Sequence, residues 1–118
     1  FENLEKGNNV ILEIDVQGSM QIKKIYSDCE MIFVLPPSLD VLISRLKGRK
    51  SETEEQFKLR LKNSVKEIKT AHEYDYLVIN DNIDDAVEEI NEIIKLLDKK
   101  IKYNMDFIDK FILEEESL

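Results

Sequence analysis

The protein has 118 residues, 42% hydrophobic and 36% charged, with a formal net charge of −8. That is enough chain for one ordinary domain with one core, and no apolar run approaches the roughly 20 residues of a membrane span. The acidic balance argues against a nucleic-acid partner, which needs a basic face, but not against a small phosphorylated ligand, which a few local arginines can hold.

In chain order, Phe1–Asn9 ends in Lys6-Gly7-Asn8-Asn9, which is turn chemistry. Phe1 and Leu4 read as the tail of a helix, and with no initiator Met the chain is expected to begin in mid-domain. Val10–Ile14 is a short strand-compatible run carrying Glu13, with Asp15 just after it and Gln17-Gly18 breaking it. It reads as a buried parallel strand. Its acids have two readings: solvated tips of a core strand, or groups at the carboxyl end of a sheet, where open α/β folds bind ligands. Met20, Ile22 and Ile25 predict a short helix after Gly18.

Cys29–Leu35 is a second buried run rich in strand formers, ended by Pro36-Pro37. Cys29 is the single cysteine, so no disulfide framework is expected; a buried thiol and a reducing, cytoplasmic setting are. Ser38 is a candidate cap for a helix with Leu39, Leu42, Ile43 and Leu46 on one face. After a polar connection, either Thr53 with Gln56 or Ser51 with Glu54 offers a capping box. Phe57, Leu61, Val65, Ile68 and Ala71 then mark one face of a long helix, whose lysines read as a solvated face. Tyr74–Ile79 gives a third strand, Asn80-Asp81-Asn82 its carboxyl end, and Asn82 a cap for a final helix. That helix has Ala86, Ile90, Ile93 or Ile94, Leu97 and Ile101 as its stripe, with a weaker pattern reaching Ile112. The order β-α-β-α-α-β-α predicts an α/β fold with a parallel sheet and flanking helices.

Three arginines are the candidate chemistry. Arg45 and Arg49 share one helix face, and Arg60 lies on the next helix. If the two helices form a hairpin, all three guanidinium groups converge across the turn, where planar forks suit phosphate oxygens. The alternative is three solvated surface arginines. His72, the only histidine, reads as structural, and no clustered spacing suggests a metal held by side chains.

Read together, Leu12–Gly18, Leu35-Pro36-Pro37-Ser38, Arg45–Arg49, Thr53–Glu55, Arg60-Leu61 and Glu73–Asp81 come in an order and spacing that resembles the carboxyl-terminal half of guanylate kinase. The resemblance covers about residues 7 to 97. It implies the P-loop nucleoside-monophosphate-kinase fold, present as an incomplete fragment: residues 1–44 as part of the core, 45–62 as the lid, 63–101 as the core's last strand and helices, and 102–118 as an extra acidic tail. It implies transfer of the ATP γ-phosphoryl group to GMP with Mg2+. Arg45, Arg49 and Arg60 would be the catalytic lid arginines. Glu13 and Asp15 would lie on the GMP side, Asp15 at the guanine edge, and Arg49 and Asn80 on the ATP side.

Several positions depart from the family pattern. Glu13 stands for a usual Asp, Lys50 for a usual Gly, and Asn82 for a frequent Asp. No GxxxxGK[ST] phosphate loop occurs in these residues, and the GMP-binding lobe is missing; both are expected before Phe1, so the chain is expected to be inactive alone. In the resembled fold the phosphate-loop strand lies between Val10–Ile14 and Glu30–Leu35, so a second copy or a strand-completing chain is an expected partner. The alternatives are a guanylate-kinase-like interaction module without catalysis, or another nucleoside monophosphate kinase.

Overall fold

The computed structural model of the protein describes residues 15–47 and 52–118. Val10–Ile14, and with it the expected first strand, lies outside the described residues. The first described helix, α1, spans Val16–Ile25. It starts earlier than the break at Gly18 suggests because Asp15 is its cap. The Asp15 carboxylate Oδ1 accepts the Gly18 N–H at 2.7 Å, and the Asp15 carbonyl accepts the Ser19 N–H at 2.9 Å. Gly18 therefore sits inside the first turn.

Strand β1 is Ile32–Leu35, and the first two residues of the expected run before it, Cys29 and Glu30, serve other ends. Cys29 is only half-buried. Glu30 carries an ion pair described below. Helix α2, Leu39–Leu46, begins where Ser38 Oγ accepts the Val41 N–H at 3.2 Å. Leu39, expected on its inner face, is exposed, while Leu42, Ile43 and Leu46 are half-buried. Helix α3, Glu54–Ile68, opens with Thr53 and Gln56 as a reciprocal capping box, while Ser51 of the other candidate box lies outside the described residues. Its half-buried Phe57, Leu61, Val65 and Ile68 match the expected stripe, and Ala71 falls in a separate 3-10 turn, Ala71–Glu73.

Strand β2, Tyr76–Ile79, pairs parallel with β1 in the register Ile32↔Tyr76 to Leu35↔Ile79. Helix α4, Ile83–Leu97, follows, capped by Asn82. Among the described residues only Met31, Val78 and Ala86 are buried apolar side chains, and no polar side chain is buried. Ala86 lets α4 lie close against β2, and Val78, 1% exposed, is the centre of that contact. The architecture is thus α/β, a small parallel sheet with flanking helices.

The amino end of the sheet is fastened by a long-range clamp. Asp75 Oδ2 accepts the Met31 N–H at 2.8 Å, while the Met31 carbonyl accepts the N–H groups of Asp75 and Tyr76 at 2.8 and 3.0 Å. Beside it the Phe33 and Tyr74 rings meet edge-on, centroids 4.9 Å apart. Tyr74 is therefore a packing residue. His72 is exposed, its Nδ1 2.9 Å from the Lys69 carbonyl and its Nε2 3.2 Å from Glu73.

Helix α4 stops before Ile101, which the apolar stripe had included. The Asn104 amide donates to the carbonyls of both Asp98 and Lys100 at 2.7 Å, folding the chain into a 3-10 turn at Ile101–Tyr103. Helix α5, Met105–Glu116, then starts anew. The turn is tied to the head of β1: Lys100 Nζ donates to Glu30 Oε1 at 2.6 Å, and Lys102 Nζ lies 3.6 Å from the same oxygen. The Lys100 hydrogen bond, outweighing partial burial, holds the Glu30 carboxyl below its ordinary 4.5. Most of α5 is solvent-exposed, including Phe107 and Phe111. No described helix is long and apolar enough to cross a membrane.

Candidate functional site at the carboxyl end of the sheet

The parallel register puts the carboxyl ends of β1 and β2 side by side, at Leu35 and Ile79. The Asn80 N–H donates to the Leu35 carbonyl at 2.7 Å, extending the ladder by one residue and fixing the position of Asn80. Pro36 and Pro37 then turn the chain away from β1, having no N–H to continue pairing. On the β2 side, Asn82 Oδ1 accepts the N–H groups of Asp84 and Asp85 at 2.8 and 3.4 Å. This holds the Asn80–Asn82 turn between a strand end and a helix start. Crevices at the carboxyl ends of parallel strands are the ligand-binding places of open α/β sheets.

Arg45 reaches this edge from α2. It is exposed in the last helical turn, and its Nη2 donates to the Asp81 carbonyl at 3.3 Å. Two candidate residues 35 positions apart, Arg45 and Asn80, are thereby brought to one rim. The contact is long and solvent-exposed, so it places the guanidinium without committing it.

Arg60 sits in the second turn of α3, and α2 and α3 contact one another as the expected hairpin. Arg60 is half-buried, and its Nη1 bonds Glu52 Oε2. At the same junction Lys47 Nζ lies 5.3 Å from the centre of the Phe57 ring, a cation–π contact joining the end of α2 to the start of α3. Lys47, Glu52, Thr53 and Phe57 line an open hollow of about 350 Å³ there. Arg45 and Arg60 thus face different partners across the hairpin. Arg49 and Glu13, the other two candidates, lie outside the described residues. Asp15 caps α1, and no hydrogen bond or ion pair joins it to Arg45, Arg60 or Asn80.

Sequence reasoning did not single out Glu52 or the Asp81 carbonyl. Glu52 precedes its helix and meets Arg60 at a separation no helical or strand period predicts. A main-chain acceptor 36 residues from Arg45 leaves no mark in side-chain patterning. A second open hollow, lined by Leu77, Val78, Glu89 and Ile93 among others, lies between β2 and α4. It contains no cation and two carboxylates, so it offers nothing to a phosphate. Among the described residues no three His, Cys, Asp or Glu side chains gather as a metal cluster.

The guanylate kinase family model matches residues 2–97. The guanylate kinase of Caldanaerobacter subterraneus subsp. tengcongensis is 41% identical over 118 residues, covering 100% of this chain and 56% of the relative. That of Clostridium tetani is 48% identical over 94 residues, 80% of this chain and 45% of the relative. That of Thermotoga maritima is 38% identical over 112 residues, 95% of this chain and 54% of the relative. The chain spans about half the length of the curated relatives it matches, aligning with their carboxyl-terminal portion. With the family model matching most of its length, the chain belongs to the guanylate kinase family.

Proposed function

We propose that this chain supplies the lid and the carboxyl-terminal core of an enzyme that transfers the γ-phosphoryl group of ATP to GMP, giving ADP and GDP. The observation that carries the reading is Arg45 placed on the Asp81 carbonyl, at the same strand-end rim as Asn80, in a chain of this family. Phosphoryl transfer asks little covalent work of a protein. It asks for positioning and for positive charge where charge develops on the transferring group.

In this reading Arg45 leaves its weak carbonyl contact and bonds phosphate oxygens in the fork geometry for which guanidinium is suited. Arg60 does the same from α3, and Arg49 from the connection between the helices. Asn80 borders the adenine, and Asp15 and Glu13 act on the GMP side. Closure of the α2–α3 hairpin brings the arginines in and keeps water from the phosphoryl group. Mg2+ would accompany ATP. An ion that accompanies ATP is held largely by the nucleotide's phosphates and water. Transfer also needs a phosphate loop, which these 118 residues do not contain. The activity is therefore proposed for the complete protein, these residues joined to such a loop. A cytoplasmic setting belongs to the same reading.

The test is a coupled assay of ADP formation by the complete protein with ATP, Mg2+ and each nucleoside monophosphate in turn. Turnover with GMP well above that with AMP, UMP or CMP is expected. No turnover with GMP contradicts the proposal.

A further inference from the structure

Glu52 is the residue of the hairpin that neither the sequence pattern nor the proposed chemistry uses. Its side chain is 11% exposed and its Oε2 accepts from Arg60 Nη1. Exposed surface pairs contribute little, but a carboxylate this far withdrawn from water needs its partner. The pairing is not a helical i,i+4 contact, because Glu52 precedes the cap of α3. Its geometry is set by the capping box. Thr53 Oγ1 accepts the Gln56 N–H at 3.2 Å, and Gln56 Oε1 accepts the Thr53 N–H at 3.0 Å. These two bonds fix how the chain enters α3, and so aim the Glu52 carboxylate over the second turn, where Arg60 emerges.

The arginine is not used up by this contact. One of its three nitrogens is engaged, the guanidinium has five N–H donors, and the side chain is 34% exposed. One edge of the fork is anchored while the rest stays open to an anion. A long side chain held this way loses less rotamer freedom when it binds a phosphate than a free one does. We propose that Glu52 is a positioning residue for phosphoryl transfer: it holds Arg60 in the orientation in which its remaining N–H groups meet the transferring phosphate. This rests on the reading of Arg60 as a phosphate-holding arginine.

The experiment measures kcat and KM for ATP and GMP in the complete protein, for Glu52→Gln, Glu52→Asp, Arg60→Ala and the double variant Glu52→Gln with Arg60→Ala. Glu52→Gln is expected to lower kcat about tenfold with KM changed less than about twofold, and Glu52→Asp to recover most of that loss. In the Arg60→Ala background, Glu52→Gln is expected to cost nothing further, because its effect runs through the arginine. A purely structural Glu52 would instead lower turnover in both backgrounds, and that result overturns the inference. So does a Glu52→Gln variant with unchanged or raised kcat; a rise would mean that Glu52 competes with phosphate for Arg60. If Arg60→Ala itself turns over at the full rate, it is the reading of Arg60 that falls. Should Glu52→Gln not fold, Glu52→Asp and Glu52→Ser decide together: a near-parent kcat for Glu52→Asp beside a kcat about tenfold lower for Glu52→Ser supports the inference, and equal kcat in the two overturns it.

Discussion

The two ends of the small sheet are built differently. At the amino end, Met31 makes three hydrogen bonds of 2.8 to 3.0 Å, two with Asp75 and one with Tyr76, Tyr74 packs on Phe33, and Glu30 holds Lys100 at 2.6 Å. These contacts join β1 to the start of β2 and to the turn after α4. At the carboxyl end, one backbone bond from Asn80 to Leu35 closes the ladder, and the side chain that arrives, Arg45, makes an exposed 3.3 Å contact. The difference teaches how the labour is divided. Groups at the amino end have satisfied, partly buried partners and are committed to holding the fold. At the carboxyl end the arriving Arg45 has a weak, exposed partner, which in the proposed reading a ligand replaces.

The sharpest way to break the comparison is at the weak end. Arg45→Ala in the complete protein is expected to lower kcat by more than about tenfold, with unfolding free energy within about 0.5 kcal/mol of the parent. Steady-state kinetics and urea unfolding on the same preparation check both halves. At the firm end the expectation reverses. Asp75→Ala leaves the Met31 N–H without its acceptor and is expected to cost about 1–3 kcal/mol of stability, while Asp75→Asn, which keeps an acceptor oxygen, costs less. Val78→Ala, at the 1% exposed centre of the α4 contact, is expected to destabilise by a similar amount, about 1–3 kcal/mol, whereas Leu77→Ala, at 57% exposure, stays within about 0.5 kcal/mol. Equal losses at Val78 and Leu77 would show that α4 does not seal this face.

The caps and the local stripes were legible in the sequence because their causes are local. Ser38, Thr53 with Gln56, and Asn82 each bond a backbone N–H two or three residues away, and the half-buried residues of α3 follow a helical period. Asp15 has a further local role that its place beside a strand-like run and a Gly hid: its carboxylate caps α1. The resemblance named the arginines but not their partners. Asp81 for Arg45 and Glu52 for Arg60 depend on how α2 and α3 fold back, which no local pattern encodes. The break of α4 at Leu97 was equally hidden, since the apolar stripe runs through Ile101 and the cause is the Asn104 amide.

The smallest expected effect is a pH dependence at the firm end. Glu30 is held below its ordinary 4.5 by the Lys100 hydrogen bond, and Lys100 is held above its ordinary 10.5 by the same bond. A lowered carboxyl contributes stability above its unfolded value and loses it as pH falls through its folded value. A raised lysine contributes below its unfolded value and loses it as pH rises through its folded value. The stability difference between the parent and Glu30→Gln should therefore be level from about pH 5 to about pH 10 and shrink on both sides. A difference that persists unchanged well below the ordinary carboxyl range would mean that the pair does not tie the turn to β1.

The most direct test of the account is the crossed pair, Arg45→Ala and Asp75→Ala, each measured for kcat with GMP and for unfolding free energy in the complete protein. The account predicts that Arg45→Ala loses turnover and keeps its stability, while Asp75→Ala loses stability and, assayed below its lowered melting temperature, keeps turnover within about twofold of the parent. If Arg45→Ala turns over at the parent rate, or if both variants lose the same quantity, the division of the sheet into a holding end and a working end is contradicted.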